Sequence, residues 1–569
     1  MEKKWWHDKV AYQIYPKSFM DSNGDGIGDL QGVISKLDYL KELGVDIVWL
    51  SPIYQSPLAD EGYDISDYYA IDQRFGSMQD MEELIAEAKK RGITILMDLV
   101  VNHCSDEHEW FKKACEDPDG KYGKFFYLRD KDPEGKLPTN WRSYFGGPCW
   151  EQLPGTGKLY LHVFHKKQPD LNWENPEVRK EVYKNIRWWM EKGIGGFRID
   201  AIINIKKPEV FRDYPADRDD GLCSIINMLK DARGIGEFLG EMRDKAFKPY
   251  DAFTAGEVFN EKEGELPLFI GENGYFSTMF DFSVEMYERE GRGWFDKRPV
   301  DIDAFRDCMF SAHKKIGDIG FYSTIIENHD EPRGASRLLN DEIRNESAKK
   351  ALATVYFLRR GLPFIYQGQE IGMENKKIRS VEELDDISSI DAYKVAIDAG
   401  LTEEEALKTL SSHSRDNART PMQWSDEMHA GFTTGEPWLR ENPNYAAINV
   451  KEQQGREDSV LSHYKKLVAL RKDPAYKETI VYGDFVPCEN CGGSLIAYLR
   501  KGVDQTILVA GNFTPDEKTV ELPLTADGRR YAGGKVLLDN GREASVEDGS
   551  VRLDGFGAAA ILLEELKKS

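Results

Sequence analysis

The chain reads as an α/β protein: a (β/α)8 (TIM) barrel with a small domain inserted after its third strand and an all-β domain at its C-terminal end. Two observations predict this. Short β-branched apolar runs alternate with helical patterns, and four of the runs end in ionisable residues: Asp98-Leu-Val-Val-Asn-His103, Gly196-Phe-Arg-Ile-Asp200, Thr254-Ala-Gly-Glu257 and Glu327-Asn-His-Asp330. Such runs, bounded by Gly or polar residues, favour buried parallel strands, and in a barrel all strands end at one mouth. Asp200, Glu257 and Asp330 are therefore expected in one pocket despite their separation in sequence.

Eight strand candidates follow in order: Val10–Pro16, Val45–Pro52, Thr94–His103, Gly196–Asp200, Phe253–Val258, Ser277–Phe282, Tyr322–Asp330 and Leu362–Glu370. Between them Val33, Ile34, Leu37, Leu40 and Leu43 space one apolar helical face, and Met81–Arg91 and Glu177–Lys192 do likewise. The Gly-, Pro- and aromatic-rich stretch 104–171 is far too long for a loop and reads as an inserted domain. A second insertion covers about 371–449. The barrel is thus assigned to 1–103 and 172–478, and the alternating runs from Thr479 onward to a C-terminal β-sandwich over 479–569.

Composition narrows the partners. The 569 residues carry 76 Lys+Arg against 99 Asp+Glu, a net charge of −23 without a polybasic run, which argues against nucleic acid or an anionic membrane as partner. No secretory h-region precedes the first apolar run and no stretch is apolar enough to span a bilayer, so a soluble, cytoplasmic and monomeric protein is expected. Of the seven cysteines only Cys488-Glu-Asn-Cys491 has a metal-like or redox-like spacing. Lacking a second pair and followed by two glycines, it reads as a hairpin turn with reduced thiols.

Three carboxylates with different neighbours suit glycoside hydrolysis with retention, which needs one carboxylate as nucleophile and one protonated carboxyl as acid, roughly 5 Å apart. Arg198 lies two residues before Asp200, on the same strand face, and is expected to keep Asp200 ionised as the nucleophile. Glu257 has no cation near it in sequence, so its pKa is expected to rise towards that of an acid. Asp330 is left to hold substrate hydroxyls, with His103 and His329 as hydrogen-bond donors.

These four segments resemble, in order and spacing, the signature regions of the α-amylase family, glycoside hydrolase family 13. Gln168-Pro-Asp-Leu-Asn172, Gly368-Gln-Glu-Ile-Gly372 and Ser414-Arg-Asp-Asn-Ala-Arg-Thr-Pro-Met-Gln-Trp424 narrow the resemblance to its oligo-1,6-glucosidase and α-glucosidase members. The resemblance implies Asp200 as nucleophile, Glu257 as acid/base and Asp330 as transition-state stabiliser. It also implies a terminal glucose site lined by Asp60, Tyr63, His103, Phe164, Arg198, His329 and Arg415, closed and hence exo-acting, with Asp98 as a structural acid. Trp141 and Trp150 are read as core.

A second constellation, Asp21-Ser-Asn-Gly-Asp-Gly-Ile-Gly-Asp29, places oxygen-bearing side chains at alternate positions, as a hard cation requires. Gly32 stands where an EF-hand needs a bidentate Glu, so a shorter loop is implied, with Asp21, Asn23, Asp25, the Ile27 carbonyl and Asp29 around a structural Ca2+ or Mg2+. A metal-free Asx/Gly turn is the alternative reading. No organic cofactor is expected.

In relatives restricted to α-1,6 bonds the residue after the nucleophile is usually Val. Here it is Ala201, which leaves room beside the second sugar and puts exclusive α-1,6 action in doubt. Glu327 and Glu331 replace the more usual Asn and Gln of the fourth region. Three function classes follow: a retaining exo-α-glucosidase acting on isomaltose, maltose or sucrose; a glucosyltransferase, sucrose isomerase or trehalose-6-phosphate hydrolase on the same scaffold; and a catalytically dead binding relative. Trp294-Phe-Asp-Lys-Arg298 stands where sucrose isomerases carry Arg-Leu-Asp-Arg-Asp, which disfavours the isomerase, and retention of all three carboxylates disfavours the last class.

Overall fold

A computed structural model describes residues 2–259, 261–289, 294–488, 491–525, 528 and 530–565. Eight parallel strands close into a barrel: β1 Ala11–Ile14, β2 Ile47–Leu50, β3 Thr94–Leu99, β4 Gly196–Ile199, β5 Phe253–Gly256, β6 Thr278–Phe280, β7 Tyr322–Thr324 and β8 Leu362–Tyr366. Each strand pairs with its neighbours in sequence, and β8 closes on β1. Every predicted barrel strand is present, shortened at its C-terminal end where the chain turns into the mouth.

Side-chain parity explains why these runs lack polar alternation. Ala11, Ile47, Trp49, Leu96, Phe253, Phe280 and Phe364 share one buried cluster inside the barrel. Their neighbours Tyr12, Val48, Leu50, Ile95, Met97, Phe197, Met279 and Ile365 pack outward in the larger cluster that joins strands to helices. With both faces dry, a strand reads as continuously apolar. The same parity turns Asp98 and Arg198 inward, and they pair across β3 and β4 in register.

The helices follow their caps. Ser77 and Asp80 form a capping box on Met78–Lys90, and Asn175 caps Pro176–Lys192, which ends at Gly193 with φ +104°. The apolar face from Val33 to Leu43 is carried by two helices, Leu30–Ser35 and Leu37–Leu43, broken at Lys36, whose N–H bonds back to the Val33 and Ile34 carbonyls.

Between β3 and Pro176–Lys192 lies a three-stranded antiparallel sheet of Leu128–Asp130, Lys158–Leu161 and Trp150–Gln152. Trp141 and Trp150 are buried in a core that this domain shares with Cys223, Ile225 and Met228 from the segment after β4. After β8 the chain forms further helices, including Ile387–Asp398 and Glu403–His413. The C-terminal domain packs a five-stranded sheet on a three-stranded one around Leu499, Leu508, Val520, Val551 and Ile561. In the Cys488–Cys491 segment residues 489 and 490 lie outside the described residues; both cysteines are unpaired. Among the described residues no helix is long and apolar enough to cross a membrane.

Candidate active site

A cavity of about 340 Å³ opens at the C-terminal ends of the strands, and Asp60, Tyr63, His103, Phe164, Asp200, Ala201, Glu257, Asp330 and Arg415 all line it. Arg198 lies beneath, 2 % exposed. Its Nη1 is 2.5 Å from Asp200 Oδ1 and 3.0 Å from Asp98 Oδ1, and its Nη2 is 2.8 Å from Glu257 Oε1. The other oxygen of Glu257 accepts the Ala201 N–H at 2.6 Å.

This corrects two expectations. Glu257 does have a cation beside it, supplied by β4 rather than by its own strand. Asp200 is not simply held ionised: burial pushes its carboxyl well above the usual range, with Glu257 and Asp98 adding to the rise and Arg198 opposing it. Burial likewise pushes Asp98 up to about 6. Around this one guanidinium, burial and the neighbouring carboxyls oppose ionisation of Asp98 and Asp200 while Arg198 favours it.

Asp330 has different surroundings. Its Oδ1 is 2.9 Å from Arg415 Nη1 and 3.0 Å from Arg419 Nη2, and its Oδ2 is 3.1 Å from His329 Nε2. Burial pushes this carboxyl up, but the His329 ring and the two arginines outweigh it and hold it well below the usual range. Gln13 donates to His329 Nδ1 at 2.8 Å, which leaves the ring proton on Nε2, between Asp330 and the Tyr63 hydroxyl 2.5 Å away. Tyr63 in turn donates to Asp98 Oδ2 at 3.1 Å. Burial keeps His329 and His103 neutral, each lowered to about 3. His103 does not offer Nε2 freely, because it donates to the Tyr63 carbonyl at 3.0 Å.

Asp60 faces Arg415 across 3.7 Å and accepts from Gln168 Nε2 at 2.9 Å. Burial pushes its carboxyl up to about 6. It stands in a loop with left-handed backbone at Leu58 (φ +61°) and Glu61 (φ +49°), held by Asp64, which accepts the N–H groups of Ala59 and Asp60 at 2.9 and 3.1 Å. Phe164 stacks on Tyr144 with centroids 4.8 Å apart and touches the His103 ring at 5.1 Å.

Several site residues carry no local signal in the sequence. Asp386 is fully buried and holds Arg415 from behind, 2.5 Å from its Nη2. Lys207 forms a buried ion pair with Asp170 at 2.6 Å, tying the segment after β4 to the inserted domain. Glu285, Glu288, Arg289 and Lys297 also line the cavity, as does Glu331. Glu327 does not: it is 2 % exposed, paired with Arg333 at 3.2 Å and bonded to the Gly334 N–H.

The loop from Asp21 to Asp29 is separate from this cavity. Asp21, Asn23 and Asp25 each accept the N–H two residues on, all at 2.9 Å. Asp29 accepts from Ser22 and caps Leu30–Ser35 through the Gly32 N–H. Gly32 is needed there because a Cβ would fall 1.9 Å from the Met20 carbonyl oxygen. Among the described residues no three His, Cys, Asp or Glu side chains form a ready-made metal cluster.

The family model of the alpha amylase catalytic domain matches residues 13–483, and that of the alpha-amylase SusG C-terminal domain matches 495–559. The chain is 43 % identical over 554 residues to the oligo-1,6-glucosidase of Bacillus cereus, covering 97 % of each. The crystal structure of Bacillus licheniformis trehalose-6-phosphate hydrolase superposes with a TM-score of 0.90 at 39 % identity, covering 99 % of this chain and 100 % of that one. That of the trehalulose synthase of Pseudomonas mesoacidophila gives 0.91 at 37 %, with the same coverage. By sequence over most of its length and by fold, the chain belongs to the alpha-amylase family and is a glycoside hydrolase.

Proposed function

We propose that the protein is a retaining, exo-acting α-glucosidase that releases terminal non-reducing glucose from short α-glucosides, with isomaltose-type α-1,6 bonds as its main substrate and α-1,4 bonds accepted. The observation that carries this reading is the Arg198 bridge. One guanidinium holds Asp200 and Glu257 through adjacent nitrogens, which suits the short carboxyl separation of retaining enzymes, roughly 5 Å. The relatives named oligo-1,6-glucosidase support the linkage, and Ala201 supports its breadth.

In this mechanism Asp200 attacks the anomeric carbon as the glycosidic bond breaks, and Glu257 gives its proton to the departing oxygen. The glucosyl ester on Asp200 is then hydrolysed by water that loses a proton to Glu257, restoring both groups. Arg198 stabilises the carboxylate released at each stage. Asp330, anionic beside two arginines, holds sugar hydroxyls and the developing positive charge. Asp60 and Arg415 close the far end of the pocket around the terminal glucose, with Tyr63, Phe164 and His103 as its walls; His329, expected there, does not reach the cavity but is buried behind Asp330 and Tyr63.

The Asp21–Asp29 loop takes a structural Ca2+ in this proposal. Its donors are all hard oxygens and its run of Asx turns curls the backbone, which fits such an ion if Asn23 and the Ile27 carbonyl join the carboxylates. The limits 104–171 for the inserted domain and 479–569 for the C-terminal one, a monomeric state and a cytoplasmic location complete the proposal; seven unpaired cysteines support the last. The test is a product-resolved panel of isomaltose, maltose, sucrose, trehalose and trehalose 6-phosphate. Free glucose as the first product from isomaltose is expected; sugar isomers, or cleavage of trehalose 6-phosphate alone, would overturn the reading.

A further inference from the structure

Asp60 lines the cavity from a loop whose backbone is left-handed at Leu58 (φ +61°), Glu61 (φ +49°) and Gly62 (φ +103°). Glycine tolerates that region, but Leu and Glu adopt it at a cost, so the loop keeps this shape only where its surroundings over-determine it. One hold is Asp64, which accepts the Ala59 and Asp60 N–H groups. A second comes from the side chain of Glu61.

Glu61 Oε2 lies 2.7 Å from Lys17 Nζ and accepts the Tyr15 hydroxyl at 3.0 Å. The ion pair is sheltered: the Lys17 and Glu61 side chains are 10 % and 11 % exposed, and Lys17 Nζ stands 3.6 Å from the centroid of the Trp438 ring. Salt and water weaken such a pair far less than one on the surface. Tyr15 and Lys17 directly follow β1, and the Tyr15 ring stacks on that of His329, the partner of Asp330, with centroids 6.2 Å apart. Trp438 belongs to the segment after β8, and so does Asp385, whose carboxyl is pushed up by burial and then by the charge of Glu61. Glu61 thus gathers the segments after β1, β2 and β8 around the Asp60 loop, although it is not among the residues that line the cavity.

We propose that Glu61 is a positioning residue for the terminal glucose: anchored on Lys17 and Tyr15, its carboxylate holds the left-handed turn that presents Asp60. Its loss weakens the grip on the sugar more than the chemistry at Asp200 and Glu257. The inference rests on the α-glucosidase reading and adds a residue to the same site.

Glycine separates the tether from the turn. Glu61→Gly relieves the left-handed conformation but removes the carboxylate, so a residue kept for its backbone alone would be improved by it. For a tether, KM for isomaltose and the inhibition constant of free glucose should both rise about tenfold, with kcat changed by no more than about twofold. Glu61→Gln keeps an acceptor for Tyr15 and Lys17 and should fall between Glu61→Gly and the unaltered chain. Added to Asp60→Asn, Glu61→Gly should raise KM little further, because both act through one carboxylate. Lys17→Met, which keeps the stem beside Trp438 and loses the charge, should raise the same two constants and carries the test if Glu61→Gly does not fold. Unchanged KM and glucose inhibition in Glu61→Gly or in Lys17→Met, or full additivity with Asp60→Asn, overturns the tether and leaves the α-glucosidase reading intact. An unaltered chain that cleaves no α-glucoside overturns both.

Discussion

The carboxyl of Glu257 accepts a hydrogen bond from the backbone N–H of Ala201 at 2.6 Å, so the acid/base candidate is fastened to the residue that follows Asp200. Ala201 holds φ +41°, ψ +31°, a left-handed conformation that a side-chain-bearing residue adopts at a cost. The backbone that aims Asp200 also positions Glu257, and any change at position 201 acts on both carboxyls and on the wall of the aglycone space.

Ala201→Val adds two methyl groups to that wall, and a change of this size shifts discrimination by about 1–3 kcal/mol. The kcat/KM ratio of isomaltose over maltose should rise by about tenfold or more. A β-branched residue at positive φ also strains the turn, so activity on both sugars falls while the ratio moves. An equal loss on both would place linkage selection elsewhere.

Glu257→Gln removes the transferable proton and keeps one of the Arg198 and Ala201 contacts, because the amide has a single acceptor oxygen. Hydrolysis of isomaltose should drop by on the order of 10³-fold or more, whereas an aryl glucoside whose leaving group needs no proton should keep rapid formation of the glycosyl-enzyme and show a burst. Equal losses on both substrates would deny Glu257 the role of acid.

The pH profile tests Asp60. Burial raises its carboxyl to about 6, so below that pH it takes up a proton and no longer offers a charged acceptor to the terminal glucose. The acid limb of kcat/KM should fall through pH 6, and not through the ordinary carboxylate range near 4. Because the shift is upward, the folded chain holds this proton more tightly than the unfolded chain. The contribution of Asp60 to stability therefore grows as pH falls from 6 towards 4, and activity lost through this group in that window should return on neutralisation.

A divalent ion bound only to the folded chain raises its stability by mass action. Chelation should therefore lower the melting temperature, calcium should restore it, and Asp25→Ala should abolish the difference while leaving the kcat of the folded enzyme largely intact. A melting temperature indifferent to chelator and calcium would leave the loop as a metal-free Asx turn.

The barrel strands were legible because burial on both faces leaves a continuous apolar run, with the charge deferred to the strand end. Parity along β4 likewise made Arg198 and Asp200 readable as neighbours. What topology alone assembles stayed hidden: the Arg198 contact to Glu257 crosses from β4 to β5, and Asp386 reaches Arg415 across a long insertion. Glu327 and Glu331 look equivalent in sequence, yet Glu327 turns to Arg333 inside the fold while Glu331 reaches the cavity. The break at Lys36 was invisible because apolar spacing continues across it.

The central claim is a covalent glucosyl ester on Asp200, and trapping tests it most directly. A slow fluorinated glucosyl fluoride should label the protein once, and peptide mapping by mass spectrometry should place the sugar on Asp200, with no label in Asp200→Asn. A label on another residue, or turnover without any covalent species, would contradict the account.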